Sequence, residues 1–124
     1  MRLTLLIGIS LGAAGGALLR YWIQRILNLS LLSPGGTFLV NIIGSAILGF
    51  VAGGFPQKVG SPLYYAVTAG FCGSLTTFSS ITLEIFEMLR LQEGLRAMMY
   101  IVLTLGLGLM GFAGGYWLGA KLTS

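Results

Sequence analysis

Four groups of polar side chains stand in stretches that are otherwise apolar, and together they could handle an ion. Arg20 closes the run Gly15-Gly-Ala-Leu-Leu-Arg-Tyr21. Its charge could snorkel to a lipid headgroup or draw anions toward the chain. Asn41 lies in Gly36-Thr-Phe-Leu-Val-Asn-Ile-Ile-Gly44; its amide both donates and accepts, so it can hold helices together or present a donor to a ligand. The stretch Gly70-Phe-Cys-Gly-Ser-Leu-Thr-Thr-Phe-Ser-Ser-Ile-Thr82 is rich in glycine and hydroxyls. Glycine is a poor helix former, and Ser and Thr compete with the backbone for hydrogen bonds. A helix broken there frees carbonyls, which suit a cation, and hydroxyls, which suit an anion. The alternative is an unbroken helix whose Ser and Thr bond back to the previous turn. Tyr100 and Thr104 stand one turn apart on a single helical face, with Gly108 a turn further on.

The elements that must position these groups follow from the charge spacing. The chain has 124 residues, of which 56% are hydrophobic and only 8% charged, against about 25% charged in ordinary soluble domains. Leu3 to Leu19, Ile26 to Gln57, Val59 to Leu83 and Ala97 to Ala120 carry no charge. A bilayer core needs roughly 20 apolar helical residues to cross it. The expected architecture is an all-α membrane protein, a single transmembrane domain over 1–124. Its helices are expected at about 3–27, 37–54, 63–91 with a break near 73–78, and 94–121. Pro34-Gly-Gly36 and the two prolines of Phe55 to Pro62 mark the first two joints. Arg2, the apolar stretch after it and the small residues of Gly12 to Ala17 also fit a signal peptide, but three further spans embed the chain in either case.

Several function classes fall away. A net charge of +4 does not imply nucleic acid, because the seven Lys and Arg are scattered singly rather than clustered on one face. There is no histidine, and the one cysteine, Cys72, allows no internal disulfide. The chain carries no nucleotide-binding loop, no paired catalytic carboxylates and no nucleophile–base pair, so it does not read as an enzyme.

Small residues recur every four positions at Gly8, Gly12 and Gly16, at Ser45, Gly49 and Gly53, and at Gly111, Gly115 and Gly119. Such stripes let helix backbones touch in lipid, within one subunit or between two. Four helices make a thin bundle, which favours an oligomer. With four spans, Arg2, Lys58 and Lys121 fall on one side of the membrane and Arg25, Arg90 and Arg96 on the other. Orientation follows an excess of Lys and Arg on the cytoplasmic side. This balance gives that rule nothing to act on, so the chain is expected to insert both ways and to pair about a two-fold axis in the membrane plane. A weak bias remains if one arginine lies deeper than its position suggests.

Three motifs in order, Gly-Ala-Leu-Leu-Arg-Tyr21, Gly-Thr-Phe-Leu-Val-Asn41 and Gly-Phe-Cys-Gly-Ser-Leu-Thr-Thr-Phe-Ser79, resemble the signatures of the Fluc/CrcB fluoride channels. The resemblance spans the whole chain. It implies a passive channel that exports fluoride from the cytoplasm, in the cell (plasma or inner) membrane of what would be a bacterium. It also implies an antiparallel homodimer of dual topology with two fluoride pathways. A structural sodium ion would sit at the dimer centre on backbone carbonyls of Gly73 and Thr76 from both subunits. Arg20 would lie in an electropositive vestibule. Asn41, Phe78, Ser79, Ser80, Ile81, Tyr100 and Thr104 would line the pathway, with Phe78 in an aromatic box.

The chemistry is coherent with that reading. Fluoride is small and holds its water tightly, so a pore must offer donors in place of the hydration shell, and bind loosely enough to release. Amide and hydroxyl groups are such donors, and the edge of an aromatic ring is weakly positive. Two positions depart from the family pattern. Ile81 stands where a second phenylalanine is usual, and Gly108 where a small hydroxyl residue is frequent. The nearest rivals are a small dual-topology multidrug transporter and a structural subunit of a membrane complex. The first needs an intramembrane acid, and Glu84, Glu87 and Glu93 all fall toward or beyond the end of the third helix.

Overall fold

The computed structural model describes residues 2–124 and is helical apart from one short hairpin. Four apolar spans, Leu3–Leu27, Gly35–Gly54, Pro62–Arg90 and Gly94–Thr123, are long enough to cross a membrane. The shortest has 20 residues, which at 1.5 Å per residue reaches about 30 Å.

The first span is helix α1 (Leu3–Leu27) and the second α2 (Gly35–Gly54). The joint between them is more ordered than a loop. Strand β1 (Asn28–Ser30) pairs antiparallel with β2 (Ser33–Pro34). Asn28 Oδ1 accepts from the N–H groups of Gly36 at 2.7 Å and Thr37 at 3.1 Å. Those are donors that the first turn of a helix leaves unpaired, so the residue ending α1 caps α2.

The third span is composite. It starts as α3 (Pro62–Tyr65), with Ser61 Oγ accepting from Tyr64 N–H and Pro62 at the first helical position, where its missing N–H costs nothing. It widens into a π-helical segment (Ala66–Cys72), tightens into one last turn α4 (Gly73–Leu75), and stops. Thr76 and Thr77 are extended, with φ −80° and ψ 155°, then φ −149° and ψ 116°. Helix α5 (Phe78–Arg90) completes the span. The break therefore falls at two threonines inside the expected stretch. After a tight turn with Gln92 at φ 60°, α6 (Gly94–Thr123) forms the fourth span.

The small-residue stripes pack helices within the chain. A Cβ on Gly12 would overlap the carbonyl oxygen of Ala66, and one on Gly16 that of Phe71, so α1 lies backbone to backbone on the first half of the third span. The stripes of α2 and α6 face each other in the same way. A Cβ on Gly49 or Gly53 would overlap the Phe112 or Tyr116 carbonyl, and one on Gly115 or Gly119 that of Ala46 or Phe50. Among the described residues the buried apolar core is small: Val40, Cys72, Leu75, Met88, Ala97 and Tyr100. Large apolar side chains such as Leu11, Leu18, Leu109 and Met110 point outward, as a lipid solvent permits.

Candidate functional site

The break needs something to hold it, because an interrupted helix at membrane depth leaves backbone groups without partners. Asn41, in the second turn of α2, supplies it. Its Oδ1 accepts from Thr77 N–H at 2.7 Å, and its Nδ2 donates to Thr77 O at 3.3 Å. One side-chain amide thus replaces a backbone partner on both sides of one residue. In a continuous helix Thr77 N–H would bond the Gly73 carbonyl and Ser80 N–H the Thr76 carbonyl. Here the first goes to Asn41 and the second, at 3.1 Å, to Thr77 Oγ1, which caps α5. The exchange releases the carbonyls of Gly73 and Thr76.

A cleft of about 460 Å³ opens beside the break. Asn41, Thr76, Thr77, Phe78, Ile81 and Thr104 face it, with Gly108 further along α6. Phe78 is 84% exposed, so its ring stands clear of its own chain. Thr104 is the opposite case. Its Oγ1 is the only buried side-chain polar atom among the described residues without a hydrogen-bond partner. Burying a hydroxyl unpaired costs about 1–3 kcal/mol. Ser79 and Ser80 stand in the first turn of α5, where Thr77 Oγ1 lies 3.2 Å from Ser79 Oγ and donates to Ser80 Oγ at 3.1 Å.

A second polar cluster lies one to two turns further along α5. Glu84 is 2% exposed. Thr37 Oγ1 donates to its Oε1 at 2.5 Å and Tyr100 Oη to its Oε2 at 2.6 Å. Helices α2, α5 and α6 thus meet on one carboxylate. Arg20 bonds the far side of the break: its Nε donates to Ser74 O at 2.9 Å. That carbonyl, too, would belong to the helix ladder if the helix continued.

The expected residues therefore fall into separate places. Asn41, Phe78, Ile81 and Thr104 share the cleft, while Arg20 reaches the break from α1. Tyr100, read as one track with Thr104, belongs instead to the Glu84 cluster. Glu84 reads from the sequence as an acid near a helix end, whereas the structure buries it. The signal that finds it is spacing: Glu84 is one helical turn beyond Ser80 and two beyond Thr77, on the face that carries the hydroxyls. Gln24 was also missed, since a glutamine near Arg25 reads as part of a headgroup region.

Residues 7–116 match the model of the family described as CrcB-like protein, Camphor Resistance (CrcB). The chain is 36% identical over 118 residues to the fluoride-specific ion channel FluC of Ignicoccus hospitalis, an alignment covering 94% of this chain and 96% of that one. It is 42% identical over 108 residues to the FluC of Pyrococcus abyssi, covering 82% and 88%. With the FluC 2 of Rhodococcus jostii it shares 35% over 116 residues, covering 94% and 96%. Four apolar spans, a clamped break in the third and similarity along nearly the whole chain agree: this chain belongs to the CrcB/FluC family of fluoride channels.

Proposed function

We propose that the chain is a passive, fluoride-selective channel that lets fluoride leave the cytoplasm. The observation that carries this reading is the break: Asn41 holds it open by bonding both backbone groups of Thr77, and hydroxyls line the cleft beside it. An ion that must shed tightly held water needs donors fixed in place beforehand, and a path with several weak sites rather than one strong one. Thr104, Ser79, Ser80 and the rim of Phe78 offer such sites. Thr104 in particular has a hydroxyl hydrogen with no acceptor among the described residues. Fluoride is the anion of a weak acid whose neutral form crosses membranes and dissociates in a less acidic cytoplasm, so a channel suffices for export. Purified protein in liposomes is expected to release trapped fluoride and retain trapped chloride. Equal release of both would refute the selectivity.

The site roles extend this reading. Asn41 positions the break and presents its amide to the path. Phe78 offers the ring edge, Ile81 an apolar wall, and Arg20 a positive charge at the approach. The Glu84 cluster with Thr37 and Tyr100 continues the polar track beyond Ser80. The released carbonyls of Gly73 and Thr76 suit a hard cation, which takes oxygen ligands. A second copy would double their number, and a sodium ion held there would add fixed positive charge near the anion path. Among the described residues no cluster of acidic, Cys or His side chains could hold a metal, so carbonyls are the ligands on offer.

The working unit in this reading is an antiparallel homodimer. The cleft supports it, since Asn41, Thr76 and Thr77 line it and polar groups left facing lipid are costly, so a second surface is needed to close it. The charge balance across the joints supports dual insertion. Two lysines added between Phe55 and Pro62 are expected to force one orientation and to lower flux from the chain expressed alone. A single orientation in tagged wild-type protein would contradict dual topology.

A further inference from the structure

We infer that Gln24 is a positioning residue: by donating both its amide hydrogens it sets which way two pathway hydroxyls point theirs. The inference rests on the channel reading above. Gln24 sits on α1, one turn beyond Arg20, and reaches across to two other spans. Its Nε2 donates to Thr37 Oγ1 at 3.0 Å and to Ser80 Oγ at 3.2 Å. An amide nitrogen has two hydrogens and no acceptor capacity, so both are used. Which end of an amide is nitrogen must be assigned from its neighbours. Here Arg20 decides: its Nη1 approaches Gln24 Oε1 at 3.5 Å, a long contact, but a guanidinium can face only an acceptor. Flipping the amide would set N–H groups against N–H groups.

The consequences for the hydroxyls follow by counting. Thr37 Oγ1 accepts from Gln24 Nε2 and also from Asn28 Nδ2 at 3.1 Å. Asn28 cannot be flipped either, because its Oδ1 holds the two N–H groups at the start of α2. With both acceptor positions filled, the Thr37 hydrogen has one place to go, Glu84 Oε1 at 2.5 Å. Ser80 Oγ likewise accepts twice, from Gln24 Nε2 and from Thr77 Oγ1 at 3.1 Å. Its own hydrogen then has no acceptor among the described residues. A hydroxyl held in that state donates to whatever anion arrives, without first breaking a bond to protein. A rotating serine would spend part of its time presenting lone pairs to the anion. Gln24 removes that freedom, and Arg20 acts through Gln24 as well as through its charge.

The test is a double-mutant cycle on fluoride flux from liposomes, reading the fluoride concentration at half-maximal flux and the maximal flux. Gln24→Met keeps the side chain's length and removes both donors. It is expected to raise the half-saturating concentration about five- to tenfold, the worth of one hydrogen bond. In a Ser80→Ala background the same change is expected to do almost nothing, because the hydroxyl it acts through is gone. Gln24→Glu has the same shape but can only accept and carries a negative charge; it should draw the Ser80 hydrogen inward and cost more than Gln24→Met, the share due to charge persisting in the Ser80→Ala background and the rest disappearing there. It also carries the cycle if Gln24→Met does not assemble as judged by size exclusion. Equal fold-changes with and without Ser80, or no change from Gln24→Met in the wild type, would overturn the inference. A wild type that passes no fluoride would overturn the channel reading and this inference with it.

Discussion

The face where α2 meets α6 and the break between α4 and α5 lie side by side and solve opposite problems. Along α2 and α6 the backbone hydrogen bonds stay inside each helix, and glycines bring the two backbones into contact. Between Gly49 and Gly119 the contact is backbone on backbone, so this stretch holds shape and offers no free donor to an ion. At the break the chain gives up ladder bonds at Thr77 and Ser80, and side chains from other helices replace them. That exchange leaves carbonyls and a hydroxyl free while the donors around them stay fixed. The contrast teaches that a pathway in lipid needs both: a seam dense enough to tolerate a defect, and a defect whose backbone groups are re-bonded rather than abandoned.

The comparison breaks first at the seam. Gly115→Ala should be severely damaging, since its Cβ would overlap the Ala46 carbonyl. Overpacking of this kind costs about 3 kcal/mol, and the expected result is aggregated or misassembled protein on size exclusion. Its neighbour Gly114 has nothing within 4 Å, so Gly114→Ala should assemble normally. If both behave alike, backbone contact does not hold the seam.

At the break, Asn41→Asp should leave the fold intact and cut fluoride flux on the order of a hundredfold, as loss of one preorganised donor does in anion-stabilising sites. The carboxylate can still accept from Thr77 N–H, but it sets a negative charge against Thr77 O and against the passing anion. Wild-type flux from an assembled mutant would reduce Asn41 to packing.

Phe78 and Ile81 both face the cleft, and smaller effects are expected there. Phe78→Ile should lower flux about tenfold by removing the exposed ring edge beside the break, worth about 1 kcal/mol as an aromatic contact. Ile81→Phe should change it by about twofold, since it adds one weak ring-edge contact. No flux in the wild type, with flux restored by Ile81→Phe, would mean that Ile81 marks a degraded pore.

The smallest expected effect on stability is at Thr104. Thr104→Val removes a buried hydroxyl that has no partner, so it should hold or raise the thermal midpoint, by about 1 kcal/mol of stability at most. Fluoride flux should nonetheless fall several-fold. Loss of stability with unchanged flux would show that Thr104 serves the fold rather than the anion.

Much of this was legible in the sequence, for physical reasons. Lipid-facing spans declare themselves by length and lack of charge, and glycine with clustered hydroxyls at mid-span announces a break. The helix ends expected at Thr37, Leu63 and Lys121 lie within two residues of those observed at Gly35, Pro62 and Thr123. The joint at Asn28 to Gly36 read as punctuation alone; its pairing into a hairpin, and the use of Asn28 as a cap, depend on where the two helices end in space. The break was expected, but not that Asn41 bonds both backbone groups of one threonine. That contact joins residues 36 apart, and no local pattern encodes it. Glu84 does lie toward the end of its span, but its burial depends on Thr37 and Tyr100, which come from α2 and α6. Gln24 was invisible because its partners come from two other spans.

If the break makes a fluoride-selective path, a reversal potential will show it. Reconstituted protein in a planar bilayer, with sodium fluoride on one side and sodium chloride at equal concentration on the other, is expected to show a large potential set by the fluoride gradient. Its sign should reverse when the solutions are exchanged. A potential near zero, meaning that the two anions pass equally well, would contradict the claim.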